Sequence, residues 1–259
     1  MMELTVLGSG TVAPSPSRTA ASYWVSGGST RLLLDCVAGT MHRMAAFDIP
    51  WPNVTHVALT HFHIDHWGEF PMLLFALRWG TEPARLDVVH IIGPEGLRER
   101  LRHLAGALGE WILDPGYPVE IHELRPGDSY VLSEEETLET YKTPHTPESL
   151  AYSVRDKSGR LVYTGDTGPS DALADWAQDC DLLLSECSLP DARAIESHLT
   201  PAQAGALARR ARAKRLVLTH FYPPVEAVDP ARVAAGVFGG TVVAAQDGDR
   251  FTVGDEGDE

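Results

Sequence analysis

Thr60-His61-Phe62-His63-Ile64-Asp65-His66 places three imidazoles and a carboxylate within six residues, directly after the apolar run Val57-Ala58-Leu59. Imidazole and carboxylate are the donors that borderline cations such as Zn²⁺ take, and neutral and anionic groups crowded at a strand end can converge on one or two ions. The stretch therefore predicts a metal centre whose remaining ligands lie downstream.

Composition bounds what such a centre can serve. Of the 259 residues, 44% are hydrophobic and 22% charged, the balance of an ordinary globular protein able to bury a sizeable core. A formal net charge of −15 works against any partner held mainly by phosphate neutralisation, because an acidic surface repels polyanions. Cys36, Cys180 and Cys187 are odd in number and lack CxxC spacing, so buried free thiols are expected rather than a disulfide framework or a cysteine zinc site. Met1-Met2-Glu3-Leu4 shows no basic region ahead of a long apolar segment, and no later run reaches membrane-spanning length. A cytoplasmic protein with no membrane partner is the expectation.

Upstream of the motif, Gly8-Ser9-Gly10-Thr11-Val12-Ala13 follows a short strand and fits the dinucleotide fingerprint GxGxxA, with Asp35 near the place of a ribose-binding acid. Pro14 and Pro16 impose an extended or turning path where that fingerprint needs a helix, so the match is read as coincidental. Ala21 to Ser26 and Arg31 to Asp35 read as a hairpin joined by Gly27-Gly28-Ser29. Helical periodicity covers Thr40 to Phe47, His56 to Thr60 is the strand that delivers the motif, and Gly68 to Trp79 reads as a helix.

Further along, strands are expected at Leu86 to Ile92, Val119 to His122, Leu138 to Thr143, Leu150 to Arg155, Arg160 to Tyr163, Asp181 to Leu184 and Arg215 to Thr219. Helices are expected at Pro94 to Leu108 and Ser170 to Ala177. A further helix starts at Thr200-Pro201-Ala202-Gln203, which combines an N-cap threonine, proline at the first helical position and a capping-box glutamine. No linker or repeat divides the chain. One domain over 1–259 is predicted, with an acidic, disordered tail at Gly254 to Glu259.

His61, His63, Asp65, His66, His145, Asp166 and His220 each follow an apolar, strand-like segment or sit in the loop after it, so a layered sheet could bring them to one edge. Seven such groups suffice for two ions. His42, His56, His90, His103 and His122, each isolated, are read as surface or hydrogen-bonded structural residues.

An HxHxDH cluster, a lone downstream histidine, an aspartate in a Thr-Gly-Asp turn and a late Leu-Thr-His together resemble the metallo-β-lactamase superfamily. Leu7-Gly8-Ser9-Gly10-Thr11, Leu34-Asp35-Cys36-Val37-Ala38-Gly39-Thr40 and Leu218-Thr219-His220-Phe221 are similar to its ribonuclease Z-like branch. The resemblance implies an α/β fold, a four-layer αβ/βα sandwich of two mixed β-sheets, and a homodimer. It implies two divalent metal ions, Zn²⁺ or alternatively Mn²⁺: His61, His63 and His145 on one, Asp65, His66 and His220 on the other, Asp166 bridging. Glu186 and His198 look like the family's glutamate and histidine that assist the leaving group.

Two cations roughly 3.5–4 Å apart can hold a bridging hydroxide and polarise a phosphoryl oxygen. Asp65 would then take the nucleophile's proton, and protonated His198, oriented by Glu186, would supply one to the departing oxygen. Transfer-RNA-processing ribonuclease Z proteins typically insert a long arm between the positions matching His145 and Asp166, which here are 166 − 145 = 21 apart. The sequence therefore favours a phosphodiesterase acting on a small or cyclic phosphodiester. The alternatives are a tRNA 3′-processing endoribonuclease, with RNA as substrate, and a catalytically weak binding or regulatory protein on the same fold.

Overall fold

A computed structural model describes residues 1–254. The first half of the chain builds one sheet from β1 (Met2–Gly8), β2 (Ser22–Gly27), β3 (Thr30–Leu34), β4 (His56–Ala58), β5 (Val89–Pro94) and β6 (Val119–Leu124). The second half builds another from β7 (Ser129–Val131), β8 (Thr137–Lys142), β9 (Leu150–Arg155), β10 (Arg160–Tyr163), β11 (Leu182–Glu186), β12 (Arg215–Thr219) and β13 (Thr241–Ala244), and β14 (Arg250–Val253) returns to the first. The orders are β14-β1-β2-β3-β4-β5-β6 and β13-β12-β11-β10-β9-β8-β7. Both sheets are mixed: β3 to β6 run parallel, as do β10 to β13, and the other neighbours pair antiparallel.

Alternation along the strands explains the layering. Leu32 and Leu34 of β3 enter the core between the sheets with Tyr152, Leu161, Leu182 and Leu184, while Leu33 points the other way. Strands buried on both faces read as continuous apolar runs, which is why Leu32-Leu33-Leu34 and Leu182-Leu183-Leu184 show no polar alternation. Outside the first sheet lie α1 (Thr40–Ala46), the short α2 (Ile64–Trp67), α3 (Phe70–Trp79) and α4 (Leu97–Leu108), which bury Met44, Phe70, Leu73, Leu77 and Leu101 against Leu33, Val57 and Ile91. Outside the second lie α5 (Asp171–Trp176), α6 (Pro201–Ala211), α7 (Pro223–Glu226) and α8 (Pro230–Phe238). The result is a four-layer αβ/βα sandwich.

The predicted hairpin is present, with Gly27 opposite Thr30, and Thr200 caps α6 through a complete capping box with Gln203. The strand into the motif ends at Ala58 rather than Thr60. Asp35 Oδ1 captures the Thr60 N–H at 2.8 Å, which ends the ladder and turns the backbone towards the sheet edge. The motif's second half is a helical turn, α2, not a loop. The strand expected from Leu86 begins at Val89, because the Arg85 side chain binds the carbonyls of Pro52 and Val54 and holds the preceding segment off the ladder. The three-residue edge strand β7 was not anticipated. The glycine-rich stretch after β1 continues as irregular chain through the prolines, without the helix a dinucleotide site requires. All three cysteines are free and buried. No helix among the described residues is long and apolar enough to cross a membrane, and the tail beyond Gly254 lies outside the described residues.

Candidate metal centre

Strand ends deliver the site. His61 follows β4, His145 follows β8, Asp166 follows β10, Glu186 ends β11 and His220 follows β12, while α2 carries Asp65 and His66. Ligand sites at carboxyl ends of strands are the general outcome of parallel α/β sheets. Glycine suits position 165: its φ is 56°, and a Cβ there would lie 3.0 Å from Thr60 Cγ2, crowding the Asp166 turn against the motif.

The Asp166 carboxylate sits between two sets of histidines. Its Oδ2 lies 3.9 Å from His61 Nε2 and 3.6 Å from His145 Nε2; its Oδ1 lies 3.3 Å from both His66 Nε2 and His220 Nε2. His63 Nδ1 is 3.0 Å from His145 Nε2. Two groups thus have donor atoms mutually within 4.8 Å: His61, His63, His145 and Asp166, and beside them Asp65, His66 and His220. All seven residues expected as ligands are brought together, divided as the sequence resemblance implies.

Four of the imidazoles are oriented from behind. Nδ1 of His61 meets Thr60 Oγ1 at 3.1 Å, that of His66 meets Asp35 Oδ2 at 2.8 Å, that of His145 meets the Ser197 carbonyl at 3.0 Å and that of His220 meets Ser188 Oγ at 2.8 Å. Each Nε2 is left for the centre. Among the described residues, five buried side-chain nitrogen or oxygen atoms lack a hydrogen-bond partner, and four of them are His61 Nε2, His66 Nε2, Asp166 Oδ1 and His220 Nε2. A buried polar atom without a partner costs about 1–3 kcal/mol, and four aimed at one place suit a bound cation. The residues fit a pair of divalent ions, in an N/O donor set with no thiolate.

Burial opposes charge on His66, but the carboxylates of Asp166 and Asp35 outweigh it and raise its pKa well above the usual histidine range. Burial, together with neighbouring imidazoles, holds His61 well below the usual histidine range, and burial also lowers His145 and His220. Burial also opposes charge on His198, but the hydrogen bond and charge of Glu186 outweigh it and raise its pKa. His198 Nδ1 lies 3.0 Å from Glu186 Oε1, and its ring lies against those of His145 and His220. Glu186 is itself fixed, accepting from Thr167 N at 2.6 Å, Ser188 Oγ at 2.5 Å and Leu199 N at 3.1 Å. His198 therefore reaches the centre with a buried carboxylate behind it that favours its protonated form.

Two contributors escaped the sequence reading. Asp35, given no role in the site by the sequence reading, is wholly buried and holds His66, Thr60 and, at 2.9 Å, the Tyr163 hydroxyl. Ser188 links His220 to Glu186. The signal for Asp35 was an acid closing the apolar run Leu32-Leu33-Leu34, since a buried carboxylate needs donors around it. Asp35 and His220 also adopt left-handed backbone, with φ of 58° and 59°, a conformation that non-glycine residues keep mainly where a site enforces it. Beside Asp65, a cavity of ≈ 430 Å³ is walled by the Thr11-to-Thr19 segment, Ala38, Ile64 and Gly68.

Residues 30–221 match the family described as beta-lactamase superfamily domain. The chain is 28% identical to a ribonuclease Z of Haloferax volcanii, over 97% of this chain and 95% of the relative. That alignment runs over 309 positions, at least 309 − 259 = 50 more than this chain has. Among solved structures, the metallo-beta-lactamase fold protein YhfI from Bacillus subtilis superposes with a TM-score of 0.83 at 25% identity, covering 96% of this chain and 98% of that one. The human short-form tRNase Z superposes with a TM-score of 0.79 at 26% identity, covering 97% and 99%.

Proposed function

The chain belongs to the metallo-β-lactamase superfamily and is a metal-dependent hydrolase, and from that premise we propose that it is a dinuclear phosphodiesterase of the ribonuclease Z type. The observation that carries the proposal is the Glu186–His198 pair set at the edge of the divided ligand set. A phosphodiester releases an alkoxide that needs a proton, and His198 is built to bring one.

In this reading His61, His63 and His145 would hold one ion, Asp65, His66 and His220 the other, with Asp166 serving both. Zn²⁺ suits the donor set, with Mn²⁺ as the alternative. When bound, such a pair supplies Lewis acidity towards a phosphoryl oxygen and acidifies a water from about 15.7 towards about 7. Asp65 accepts the proton that the attacking water gives up. His198, its Nδ1 committed to Glu186, delivers a proton from the opposite ring nitrogen to the departing oxygen. Glu186 acts through His198 as a positioning residue.

RNA comes first among the substrates on the strength of the ribonuclease Z relatives, which reverses the order that the sequence favoured. A second reading, a small or cyclic phosphodiester, is supported by one observation: the interval between His145 and Asp166 is filled by the β9–β10 hairpin, leaving no arm to grip RNA. The cavity beside Asp65 lies within the roughly 300–1,000 Å³ range of small-ligand sites. A single domain and a homodimer complete the proposal, the latter supported by Met72, Phe75 and Trp79 exposed along one face of α3. Purified protein loaded with Zn²⁺ or Mn²⁺ should cleave precursor tRNA faster than cyclic nucleotides or bis-p-nitrophenyl phosphate. The reverse order supports the second reading, and no turnover of any of the three with metal bound refutes both.

A further inference from the structure

Three of the histidines that look isolated in sequence meet at the far end of the sandwich. His56 begins β4 and pairs in register with His90 of β5, while β6 sets Glu120 beside His90 and His122 beside Ile92. The His56 and His90 rings stack with centroids 4.7 Å apart. Ile92 and Leu124, which alternate with His90 and His122 on the same faces, belong to the core between the sheets. His90 and His122 thus occupy half-buried positions on the core-facing side of the sheet, with the exposed Glu120 beside them. From the opposite sheet, Tyr130 of β7 reaches into the same place.

Four donor atoms converge. His90 Nδ1 and His122 Nε2 are 3.3 Å apart, and the Tyr130 hydroxyl lies 3.2 Å from the first and 3.3 Å from the second. Glu120 Oε2 lies 3.4 Å from His90 Nδ1 and 3.7 Å from His122 Nε2. Hydrogen bonding explains only part of this. A ring nitrogen carries either a proton or a lone pair, so the three contacts of the nitrogen–nitrogen–oxygen triangle cannot all be good hydrogen bonds. A tetrahedral ion held at about 2.0–2.1 Å requires donor separations of about 3.3 Å, and His90, His122 and Tyr130 stand 3.2–3.3 Å apart, with Glu120 3.4 and 3.7 Å from the two histidines.

We infer that His90, His122, Glu120 and Tyr130 form a second binding site for a divalent transition ion of the Zn²⁺ class, separate from the centre around Asp166. His56, buried against His90, backs the site. The two sites share no ligand: His56 opens β4 and His61 lies beyond its other end, so the strand separates them. β6 and β7 are the edge strands of the two sheets, so an ion here clips one sheet to the other where the sandwich opens. Its role is structural, and it does not depend on the proposed phosphodiesterase activity.

The test uses full-length protein without an affinity tag, stripped by chelator, re-equilibrated with Zn²⁺, desalted and measured for zinc per chain. Wild type should retain one equivalent more than His90→Asn/His122→Asn, with phosphodiester turnover the same in both. In Co²⁺-loaded samples the variant should lack one tetrahedral absorption component. Tyr130→Phe, which removes one oxygen and no bulk, serves if the double variant fails to fold, and should weaken Zn²⁺ binding at this site by roughly tenfold or more, equivalent to about 1.4 kcal/mol. Equal zinc content in wild type and the double variant, or unchanged affinity in Tyr130→Phe, overturns the inference.

Discussion

Asp166 and His198 illustrate how neighbouring polar side chains take different roles from their surroundings. The Asp166 carboxylate is buried with imidazoles on both oxygens and has no backbone donor to satisfy it. His198 faces the same centre, but its partner is Glu186, whose hydrogen bond and charge raise its pKa against burial. His198→Ala should lower kcat on a phosphodiester with an alkoxide leaving group by about 10²–10⁴-fold. On bis-p-nitrophenyl phosphate, whose leaving group departs without protonation, the loss should be much smaller, and metal content should not change. Equal losses on both substrates would remove His198 from the role of proton donor. Asp35→Asn tests the support behind the ligands: weakening its hold on His66 Nδ1 should reduce metal affinity by roughly 10–100-fold, read by competition with a chromophoric chelator.

At the scale of elements, α6 connects helix capping to catalysis. Thr200 caps the helix, and the adjacent Leu199 N–H donates to Glu186 Oε2 at 3.1 Å, so the cap and the acid that holds His198 lie on consecutive residues. Thr200→Ala should cost about 1 kcal/mol of stability, read as a lower urea midpoint at unchanged m-value. An unchanged midpoint would mean that the helix start is held by packing alone. This helix was legible because capping is local chemistry written in four consecutive residues. The ends of β4 and β5 were not, since they are set by side chains distant in sequence: Asp35 takes the Thr60 N–H, and Arg85 takes carbonyls from the segment before β4. The three residues of β7 carry too short a pattern to register. Trp79, at the end of the expected helix, is exposed beneath the Arg78 guanidinium.

For the whole molecule, the dense HxHxDH motif and the acids and histidines at strand exits made the fold and its centre readable, because parallel strands gather their carboxyl ends at one edge. What the sequence could not convey is register. Of the eleven histidines, six surround Asp166 and three more meet across β4, β5 and β6, a grouping that appears only when the strands are aligned. The central claim is that the chain presents two adjoining ion sites divided by one carboxylate. Anomalous diffraction at the zinc edge from crystals of Zn²⁺-loaded protein tests it most directly. Two peaks should flank Asp166, each within about 2.0–2.2 Å of a different carboxylate oxygen. A single peak there, or two peaks that leave one Asp166 oxygen uncoordinated, would contradict it.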